Sequence, residues 1–548
     1  MRKRVVFMKK AAKIFKNIIL PFALCAILML TGCGRDNNAN MNPEGGKDPR
    51  EGGVLHLAGY VPDTLNPLTT KQNCTGDYLY LAYEGLFIVN EDLTVDGVLA
   101  TGYKSLDKNT VFRVNLKEGV RFHDGSSFTS SDVVDTLKYL QLHETRYSNA
   151  LENVRTYKAT GDYTVDIYLK EPQANFVANL DFPILPSGHT AADFKVPNNS
   201  FRINGTGRYK QKDISLYEGM TLEKNPQWHS SQLVYIPEVY IRFVDNKEAI
   251  SYAFDAGETD MVTTDYGRWG EYSYGIKSNS YEITTTKYMF VGLNTKSSIF
   301  ADANVRKALA NHVDKQYVVD SALFSHAEKA DTPITSKAYF YRNDSEKKKN
   351  EPTTVTTEED VTVYILYNEE SHPKENIAKY IKTVLEEMGL KAELTKVSYD
   401  TYASKIKAGD YHLYIGEVDM RRDCNLGFLF GTNTVAVPVE NPEPAEGEEG
   451  EGGEEEQPQV QYTTSSRICN FTHENLDDIV NNINLAKDEE SAKVAYNNLR
   501  AFYEENVPQI PLVHVNDAIF VSKRVMGKLN PNLTSFFADL GDVYLSQK

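Results

Sequence analysis

Segments that alternate apolar and polar residues, as β-strands do, are interleaved in this chain with segments that have the period of an α-helix. The alternation is clear in Val111–Leu116. Further along, a strand at Val361–Leu366 is followed by a helix at Glu375–Met388 and by a second strand at Lys391–Val397. A strand, a helix and a strand in this order form a βαβ unit. The pattern therefore predicts an α/β protein.

The N-terminal segment has the layout of a secretory signal. A basic stretch without acidic residues precedes an apolar run from Ile18 to Leu30, which is shorter than the about 20 residues that a membrane-spanning helix needs. Leu30-Thr31-Gly32-Cys33 follows and resembles the lipobox of bacterial lipoproteins, in which the cysteine is acylated and becomes the new N-terminus. The resemblance implies a signal peptide at 1–32 and a lipid anchor on Cys33. An ordinary signal peptide with an incidental cysteine is the alternative.

The chain that follows the signal is strongly acidic. The signal carries seven of the 59 basic residues and none of the 76 acidic ones, so its removal leaves 52 basic residues and a formal charge of −24. This charge argues against nucleic acid as a partner and against adhesion to anionic lipid head groups. Residues 33–53 are polar and predict a flexible stalk, whereas Pro438–Gln459 is dominated by Glu, Gly and Pro and predicts a disordered acidic insert.

Neither the cysteines nor the known catalytic motifs indicate an enzyme or a metal site. Cys74, Cys424 and Cys469 are too few and too scattered for a disulfide framework or a zinc site. Cys424 and Cys469 either form a disulfide, or all three thiols are free. The sequence contains no Gly-x-Ser-x-Gly, His-Glu-x-x-His or Cys-x-x-Cys motif. It therefore predicts neither catalysis nor a cofactor.

One long run of residues, Phe112–Gly125, resembles the signature of the family 5 extracellular solute-binding proteins, which are peptide and nickel receptors of ABC importers. Phe128-Thr129 and Asp132-Val133-Val134 continue the resemblance. Further stretches agree with the family in the same order along the chain: Asp63-Thr64-Leu65-Asn66-Pro67, Tyr83-Glu84-Gly85-Leu86, Gly205-Thr206-Gly207-Arg208-Tyr209, Asn225-Pro226 with Trp228, Leu293-Asn294-Thr295, Val305-Arg306-Lys307-Ala308-Leu309 and Pro508-Gln509-Ile510-Pro511-Leu512.

The resemblance implies a periplasmic-binding-protein fold of type II, with two large lobes, crossover strands between them and a smaller extra domain. The first lobe, including the extra subdomain, would span 54–290. The second lobe would span 291–508 with the acidic insert at 438–459, and 509–548 would return to the first lobe. The ligand would lie in the cleft between the lobes.

A dense group of charges follows the strand that begins near Tyr411. The family carries a Gly-Trp-x-x-Asp-x-x-Asp-Pro motif at this position, whose first carboxylate can pair with a peptide's N-terminal ammonium. Here the tryptophan and the proline are missing and two arginines are added. The candidate ligand-binding residues of this segment are Glu417, Asp419, Arg421, Arg422 and Asp423. A carboxylate here can bind an ammonium and an arginine can bind a carboxylate, or the group is an internal network that braces the lobe.

The resemblance also implies a set of cleft residues on the first lobe. These candidates are Tyr60, Tyr83 and Glu84 near its start, and Asp265, Tyr266, Arg268 and Trp269 after Asp260-Met261-Val262.

By this resemblance, the chain is a monomeric, lipid-anchored receptor at the outer face of the bacterial plasma membrane, or in the periplasm where a second membrane is present. It would bind oligopeptides and deliver them to the permease and ATPase subunits of an ABC importer. The alternatives are a receptor for nickel, a metal chelate or another small solute, a receptor for peptide signals, and an extracellular hydrolase. His123, His312 and His412 lie in segments that the pattern assigns to the scaffold, which argues against the nickel alternative.

Overall fold

The structure is a computed structural model that describes residues 49–189, 202–271, 278–341, 361–430, 434–438, 460–464, 468 and 470–546. The predicted signal peptide, the anchor Cys33, most of the stalk, residues 439–459 of the acidic insert and Cys469 lie outside these residues. Within the described part, no helix is long and apolar enough to cross a membrane. Cys74 and Cys424 are free thiols, the latter buried.

Strands and helices alternate along most of the described chain. The strands are β1 (Val54–Tyr60), β2 (Phe87–Val89), β3 (Val95–Gly97), β4 (Ala100–Leu106), β5 (Val111–Leu116), β6 (Val154–Gly161), β7 (Thr164–Leu169), β8 (Tyr209–Ser215), β9 (Gly219–Lys224), β10 (Glu238–Val244), β11 (Met261–Thr264), β12 (Ser278–Leu293), β13 (Ala327–Lys329), β14 (Thr362–Asn368), β15 (Lys391–Val397), β16 (Leu413–Asp419), β17 (Thr434–Pro438), β18 (Val460–Thr464), β19 (Gln509–Ser522), β20 (Val525–Met526) and β21 (Tyr544–Leu545). The α-helices are α1 (Asn73–Leu79), α2 (Ser130–Leu142), α3 (Lys247–Asp255), α4 (Ala303–His312), α5 (Lys315–Tyr317), α6 (His372–Glu387), α7 (Tyr399–Ala408), α8 (Gly427–Phe430), α9 (Leu476–Asn484) and α10 (Glu489–Asn506).

The first lobe contains two four-stranded sheets that share one apolar core. One sheet has the order β1-β10-β9-β8, and the other, which forms the extra subdomain, has the order β4-β5-β7-β6. Helix α2 packs on the second sheet and begins with a capping box, in which Thr129 and Asp132 satisfy each other's backbone N–H groups. The hydroxyl and carboxylate groups of Thr129–Asp132 predict a helix start, and this prediction is confirmed.

The second lobe is built on a sheet that both lobes share, in the order β11-β19-β12-β16-β14-β15, with β13 paired to β19. Its predicted βαβ unit is confirmed, because β14 and β15 pair in parallel and α6 connects them. Helix α6 ends at Glu387 with Met388 as its C-cap, and Gly389 follows with φ +87°, which is the backbone that favours glycine at this position.

Two long strands, β12 and β19, cross between the lobes. Ile283 of β12 and Ile519 of β19 lie in the first-lobe core, whereas Met289 and Val513 of the same strands lie in the second-lobe core. The ladder between β12 and β19 changes register between Thr284 and Tyr288, at the crossing. The predicted lobe boundaries at 290/291 and 508/509 stay predictions, and each falls at the second-lobe end of a crossover strand.

One predicted helix is shorter than its pattern indicated. The sequence pattern of Asn304–Val319 predicts one helix, but α4 ends at His312 and Val313 is extended. The side chain of Asp314 accepts hydrogen bonds from the backbone N–H groups of Gln316 and Tyr317. A side chain that caps a helix start competes with continuation of the preceding helix, so a new short helix begins here.

Candidate functional site

Strand β16 brings the predicted charged segment to the crossing of the lobes. It pairs antiparallel with β12, so that Glu417 lies opposite Met289 and Asp419 lies opposite Lys287. Asp419 is exposed, and its Oδ1 accepts a hydrogen bond of 3.0 Å from the buried Thr286 hydroxyl. The carboxylate of Asp419 is therefore held in a fixed direction while it stays open to solvent.

Lys287 of β12 interacts with carboxylates from β19, from β16 and from the segment after β11. Its Nζ lies 2.9 Å from Oδ2 of Asp517 on β19. Burial alone would lower the pKa of Lys287, but the carboxylates of Asp517, Asp419 and Asp265 outweigh it and raise that pKa. Burial raises the pKa of Asp517, which Lys287 opposes and Asp265 and Asp419 reinforce. We call Asp265, Glu417, Asp419 and Asp517 the acidic cluster; the two lysines that pair with it, Lys287 and Lys374, do not balance its four carboxylates.

A hydrogen bond across the lobes joins two of the predicted site residues. The hydroxyl of Tyr266, which follows β11 in the first lobe, donates to the carboxylate of Glu417. The buried Lys374 of α6 lies 3.8 Å from the same carboxylate. Burial and the negative charge of Glu417 raise the pKa of Tyr266, so this phenol stays protonated and remains a donor. The carboxylate of Glu417 thus already has Tyr266 and Lys374 as partners, and Asp419 is the more accessible carboxylate.

The remaining charges of the segment are buried in contacts between the lobes. Asp423 is 1% exposed, pairs with Arg421 at 2.8 Å, and accepts hydrogen bonds from the amides of Gln173 and Asn179. Arg421 also pairs with Glu152 at 2.6 Å.

The neighbouring Arg422 is tied to the first lobe as well. Its guanidinium pairs with Asp181 and donates to the backbone carbonyl of Leu533. Ligand contact by Arg421, Arg422 and Asp423 stays a prediction. Their ion pairs with Glu152, Asp181 and one another favour the alternative that the sequence left open, an internal network.

Two first-lobe candidates are also buried. Tyr83 is 1% exposed. The carboxylate of Glu84 accepts hydrogen bonds of 2.8 Å from each of three donors: the Thr206 hydroxyl, the Trp228 indole and the His229 ring. Burial acts to raise the pKa of Glu84, but these hydrogen bonds, led by that from His229, hold it below its usual value. Both stay predictions as cleft residues; their burial and the contacts of Glu84 favour a place in the scaffold.

The other first-lobe candidates lie around the segment after β11. Trp269 is 2% exposed and stacks on His326 at a centroid distance of 3.6 Å; as a ligand contact it stays a prediction. Tyr60 is half-buried against the same apolar group. Asp265 is exposed and Arg268 is half-buried; both stay predictions as ligand contacts.

The three histidines considered as nickel ligands contact backbone groups of the protein. His123 Nε2 lies 3.3 Å from the Gly207 carbonyl, His312 Nδ1 lies 2.8 Å from the Ala308 carbonyl, and His412 Nδ1 accepts from the Tyr364 N–H. The described residues contain no group of three or more His, Cys, Asp or Glu side chains that could hold a metal ion.

Sequence reasoning missed Thr286, Lys287 and Asp517. A signal for them exists in the crossover strands, where Thr284-Thr285-Thr286-Lys287 and Asn516-Asp517 interrupt otherwise apolar segments. Charged residues inside a long buried strand are unusual and mark either a partner or a site.

A family model and several curated proteins match this chain. The model of the bacterial extracellular solute-binding proteins, family 5 Middle, matches residues 94–421. The oligopeptide-binding protein AppA of Bacillus subtilis is 26% identical over 61% of this chain and 63% of its own length. The glutathione-binding protein GsiB of Salmonella typhi is 24% identical over 50% of this chain and 53% of its own length. The chain thus spans somewhat more than half of the length of these curated relatives.

Solved structures share the fold over nearly the whole chain. The murein tripeptide-binding protein MppA, in its unliganded open form, has a TM-score of 0.73 at 16% identity and covers 91% of this chain and 98% of its own. AppA from Bacillus subtilis in complex with a nonapeptide has a TM-score of 0.61 at 19% identity and covers 91% and 100%. These structures are periplasmic binding proteins of type II, and the predicted two-lobe α/β architecture is confirmed.

Proposed function

Because this chain belongs to the bacterial extracellular solute-binding proteins of family 5, we propose that it is a lipid-anchored receptor that binds oligopeptides between its lobes. Family membership makes it a solute-binding receptor. The proposal adds the class of solute, the anchor on Cys33 and delivery to an ABC importer.

The acidic cluster is the observation that carries the choice of a peptide. Asp265, Asp419 and Asp517 surround a single lysine at the crossing of the lobes, and Asp419 is open to solvent. A cation beside Asp419 would relieve the repulsion between these carboxylates. A peptide has a primary ammonium at its N-terminus, which can donate charge-assisted hydrogen bonds to such a carboxylate. Asp419 therefore takes the ammonium, with Thr286 orienting it.

Binding at this position is coupled to closure of the lobes. The cluster includes Asp265 from the first lobe and Asp419 from the second. A bound cation is therefore near the carboxylates of both lobes only when the lobes are closed. A ligand that binds the closed state better shifts the equilibrium toward it. The backbone of an extended peptide can also pair with strand edges, which makes binding tolerant of the sequence of side chains.

The names of the relatives support the remaining parts of the proposal. AppA and GsiB are named for binding an oligopeptide and glutathione, and both ligands carry a free ammonium. Within the proposal, an anchor on Cys33 keeps the receptor close to the permease of its importer, and the receptor acts as a monomer without cofactors or nucleic acid.

The direct test is to identify what the purified receptor carries and then to neutralise Asp419. Mass spectrometry of material released by denaturation should find peptides, and calorimetry should measure their affinity. Asp419→Asn should weaken binding by roughly 30- to 1000-fold, because a charge-assisted hydrogen bond is worth about 2–4 kcal/mol in a closed cleft. Its melting temperature should stay near that of the wild type, since the side chain is exposed without ligand.

Asp410→Asn is the matched control. Asp410 is exposed and pairs with Lys405 beyond the opposite end of β16. Its substitution therefore changes the net charge by the same amount as Asp419→Asn and leaves the acidic cluster intact. Equal affinities of the wild type, Asp419→Asn and Glu417→Gln would contradict the proposed ammonium site. Recovery of a metal chelate instead of peptides would show that the solute belongs to the nickel class and is not an oligopeptide.

A further inference from the structure

Arg146 is an exposed arginine that the proposed function does not yet use. It lies in the loop between α2 and β6, in the extra subdomain of the first lobe. Its Cζ lies 5.7 Å from the centroid of the Tyr147 ring, and among the described residues no carboxylate lies within ion-pair distance of its guanidinium. In a chain this acidic, a guanidinium without a carboxylate partner is available to an anion from outside the protein.

A glycine in α1 makes room for this guanidinium. Gly76 is buried inside the helix, and a Cβ built on it would overlap Nη1 of Arg146. Glycine is less favourable than alanine in the interior of a helix. The close approach of the guanidinium explains why this position lacks a side chain, and it shows that Arg146 rests against the backbone of α1.

The next residue of α1, Asp77, connects Arg146 electrostatically to the crossing of the lobes. Its carboxylate interacts with Arg146, and also with Asp517 and Lys287 beside the acidic cluster. Burial raises the pKa of Asp77 to about 6 although Arg146 opposes this, whereas a carboxylate in a close ion pair would have a lowered pKa. The charges around Lys287 thus extend through Asp77 to an arginine that Asp77 does not neutralise.

One ion pair joins the segment of Arg146 to the segment of Asp419. The turn Ser148–Leu151 follows Arg146 and leads directly to Glu152. Glu152 pairs at 2.6 Å with Arg421, which lies two residues after Asp419. The carboxylate proposed to bind an ammonium and the unpaired guanidinium therefore lie on two segments, one from each lobe, that are held against each other.

We infer that Arg146 binds the C-terminal carboxylate of the peptide whose N-terminal ammonium is bound by Asp419. The inference deepens the proposed function and rests on it. A guanidinium can donate two parallel hydrogen bonds to one carboxylate, and a peptide with free ends carries both of the charges that these two residues require. Because each residue of an extended peptide adds about 3.3–3.6 Å, only peptides of one or two lengths place both ends correctly. Arg146 thus selects short peptides with a free carboxyl end.

Peptide pools that differ only at the carboxyl end test this site. Pools of mixed sequence, two to ten residues long and without Asp or Glu, are prepared as free acids and as C-terminal amides, and mass spectrometry counts the peptides that the purified receptor retains. At one or two lengths, free acids should be enriched about 10- to 100-fold over amides, the range expected for hydrogen bonds to a charged group. Arg146→Gln should abolish this enrichment while Asp419 still retains peptides.

Arg155→Gln is the matched control. Arg155 is an exposed arginine on β6 of the same subdomain, so the variant has the same change in net charge and should keep the enrichment. Gly76→Ala is a second variant, which keeps Arg146 but displaces its guanidinium. It should lower the enrichment of free acids without lowering the melting temperature, because alanine suits a helix better than glycine does.

The outcomes separate the two proposals. Equal retention of free acids and amides at every length would overturn the carboxylate site at Arg146 and leave the peptide receptor standing. An enrichment of free acids that survives in Arg146→Gln would do the same. Retention of no peptide at any length would overturn the proposed function, and the carboxylate site with it.

Discussion

Arg421 and Glu152 form an ion pair at 2.6 Å that joins the loop after Asp419 to the extra subdomain of the first lobe. Both side chains are largely buried, and Arg421 also holds the fully buried carboxylate of Asp423. The loop that places Asp419 at the cleft is therefore fixed by contacts within the protein. Stability and ligand affinity should depend on different members of one charged segment.

Asp423→Asn should destabilise the folded protein without removing the ammonium site. Arg421 would lose one of its two carboxylate partners in a buried position, and breaking a buried pair from one side costs about 3–5 kcal/mol. Urea denaturation should show a lower midpoint for Asp423→Asn than for Asp419→Asn. A wild-type midpoint for Asp423→Asn would show that the brace contributes nothing to the free energy of unfolding.

Glu84→Ala should reduce stability and leave the affinity of the folded protein for peptide unchanged. The substitution leaves the Thr206, Trp228 and His229 donors unpaired in a buried position, at a cost of about 2–4 kcal/mol. The pKa of Glu84 is lowered in the folded state, so its stabilising effect is present above the ordinary glutamate pKa and is lost as the pH falls. The difference in melting temperature between variant and wild type should therefore be smaller at pH 3 than at pH 7. A loss of affinity at unchanged stability would indicate that Glu84 contacts the ligand in the cleft.

The sequence predicted the βαβ unit of the second lobe well, because α6 and its flanking strands have strong local periods. For β19 the apolar run Ile510-Pro511-Leu512-Val513 predicts only a short strand, although the strand continues to Ser522. Asn516 and Asp517 interrupt its apolar pattern because they lie where the strand leaves one core and enters the other. A local pattern cannot distinguish this crossing from the end of a strand.

The sequence predicted a charged segment as the candidate site but not the contacts of its side chains. Charge density along the chain located the segment that contains Asp419. It could not separate Asp419 from Arg421 and Arg422, because the partners of these arginines, Glu152 and Asp181, lie 269 and 241 residues away. Contacts at such separations depend on how the lobes pack, and a single sequence carries no signal for them.

Cys33→Ala should release the protein from the membrane. Cys33 lies outside the described residues, and its role rests on the lipobox resemblance at Leu30–Cys33. Metabolic labelling with a fatty-acid analogue should tag the wild type and not the variant, since stable anchoring needs acyl chains on this thiol. Thr31→Ser is a control that keeps the cysteine and should still be labelled. A labelled Cys33→Ala protein would contradict the lipoprotein prediction.

Residues 439–459 should be dispensable for folding. Strands β17 and β18 flank them and pair antiparallel, with Pro438 opposite Val460. Replacing the acidic tract by Gly-Ser residues shortens the loop that these strands close, and loop closure depends weakly on length, so stability should change by about 1 kcal/mol or less. Differential scanning calorimetry checks this expectation. A large drop in melting temperature would show that the acidic tract packs against the lobe or binds an ion.

Asp77→Asn should stabilise the protein at neutral pH and have little effect in acid. Burial raises the pKa of Asp77 from 3.8 to about 6; Arg146 opposes this and Asp517 adds to it. Between pH 4 and pH 6 the folded state therefore binds more protons at Asp77 than the unfolded state, so its contribution to stability falls as the pH rises through this window. Removing the carboxylate should raise the free energy of unfolding by about 1–3 kcal/mol above pH 6 and by almost nothing below pH 4.

Asp488→Asn provides the opposite control for this pH dependence. Asp488 caps α10, and its hydrogen bonds with Ser491 lower its pKa, so neutralising it should destabilise the protein above pH 4 and not below. Urea titrations of both variants and the wild type from pH 3.5 to pH 8 would show differences of opposite sign that both shrink in acid. A difference between Asp77→Asn and the wild type that stays constant across this range would mean that the Asp77 carboxylate titrates alike in the folded and unfolded states.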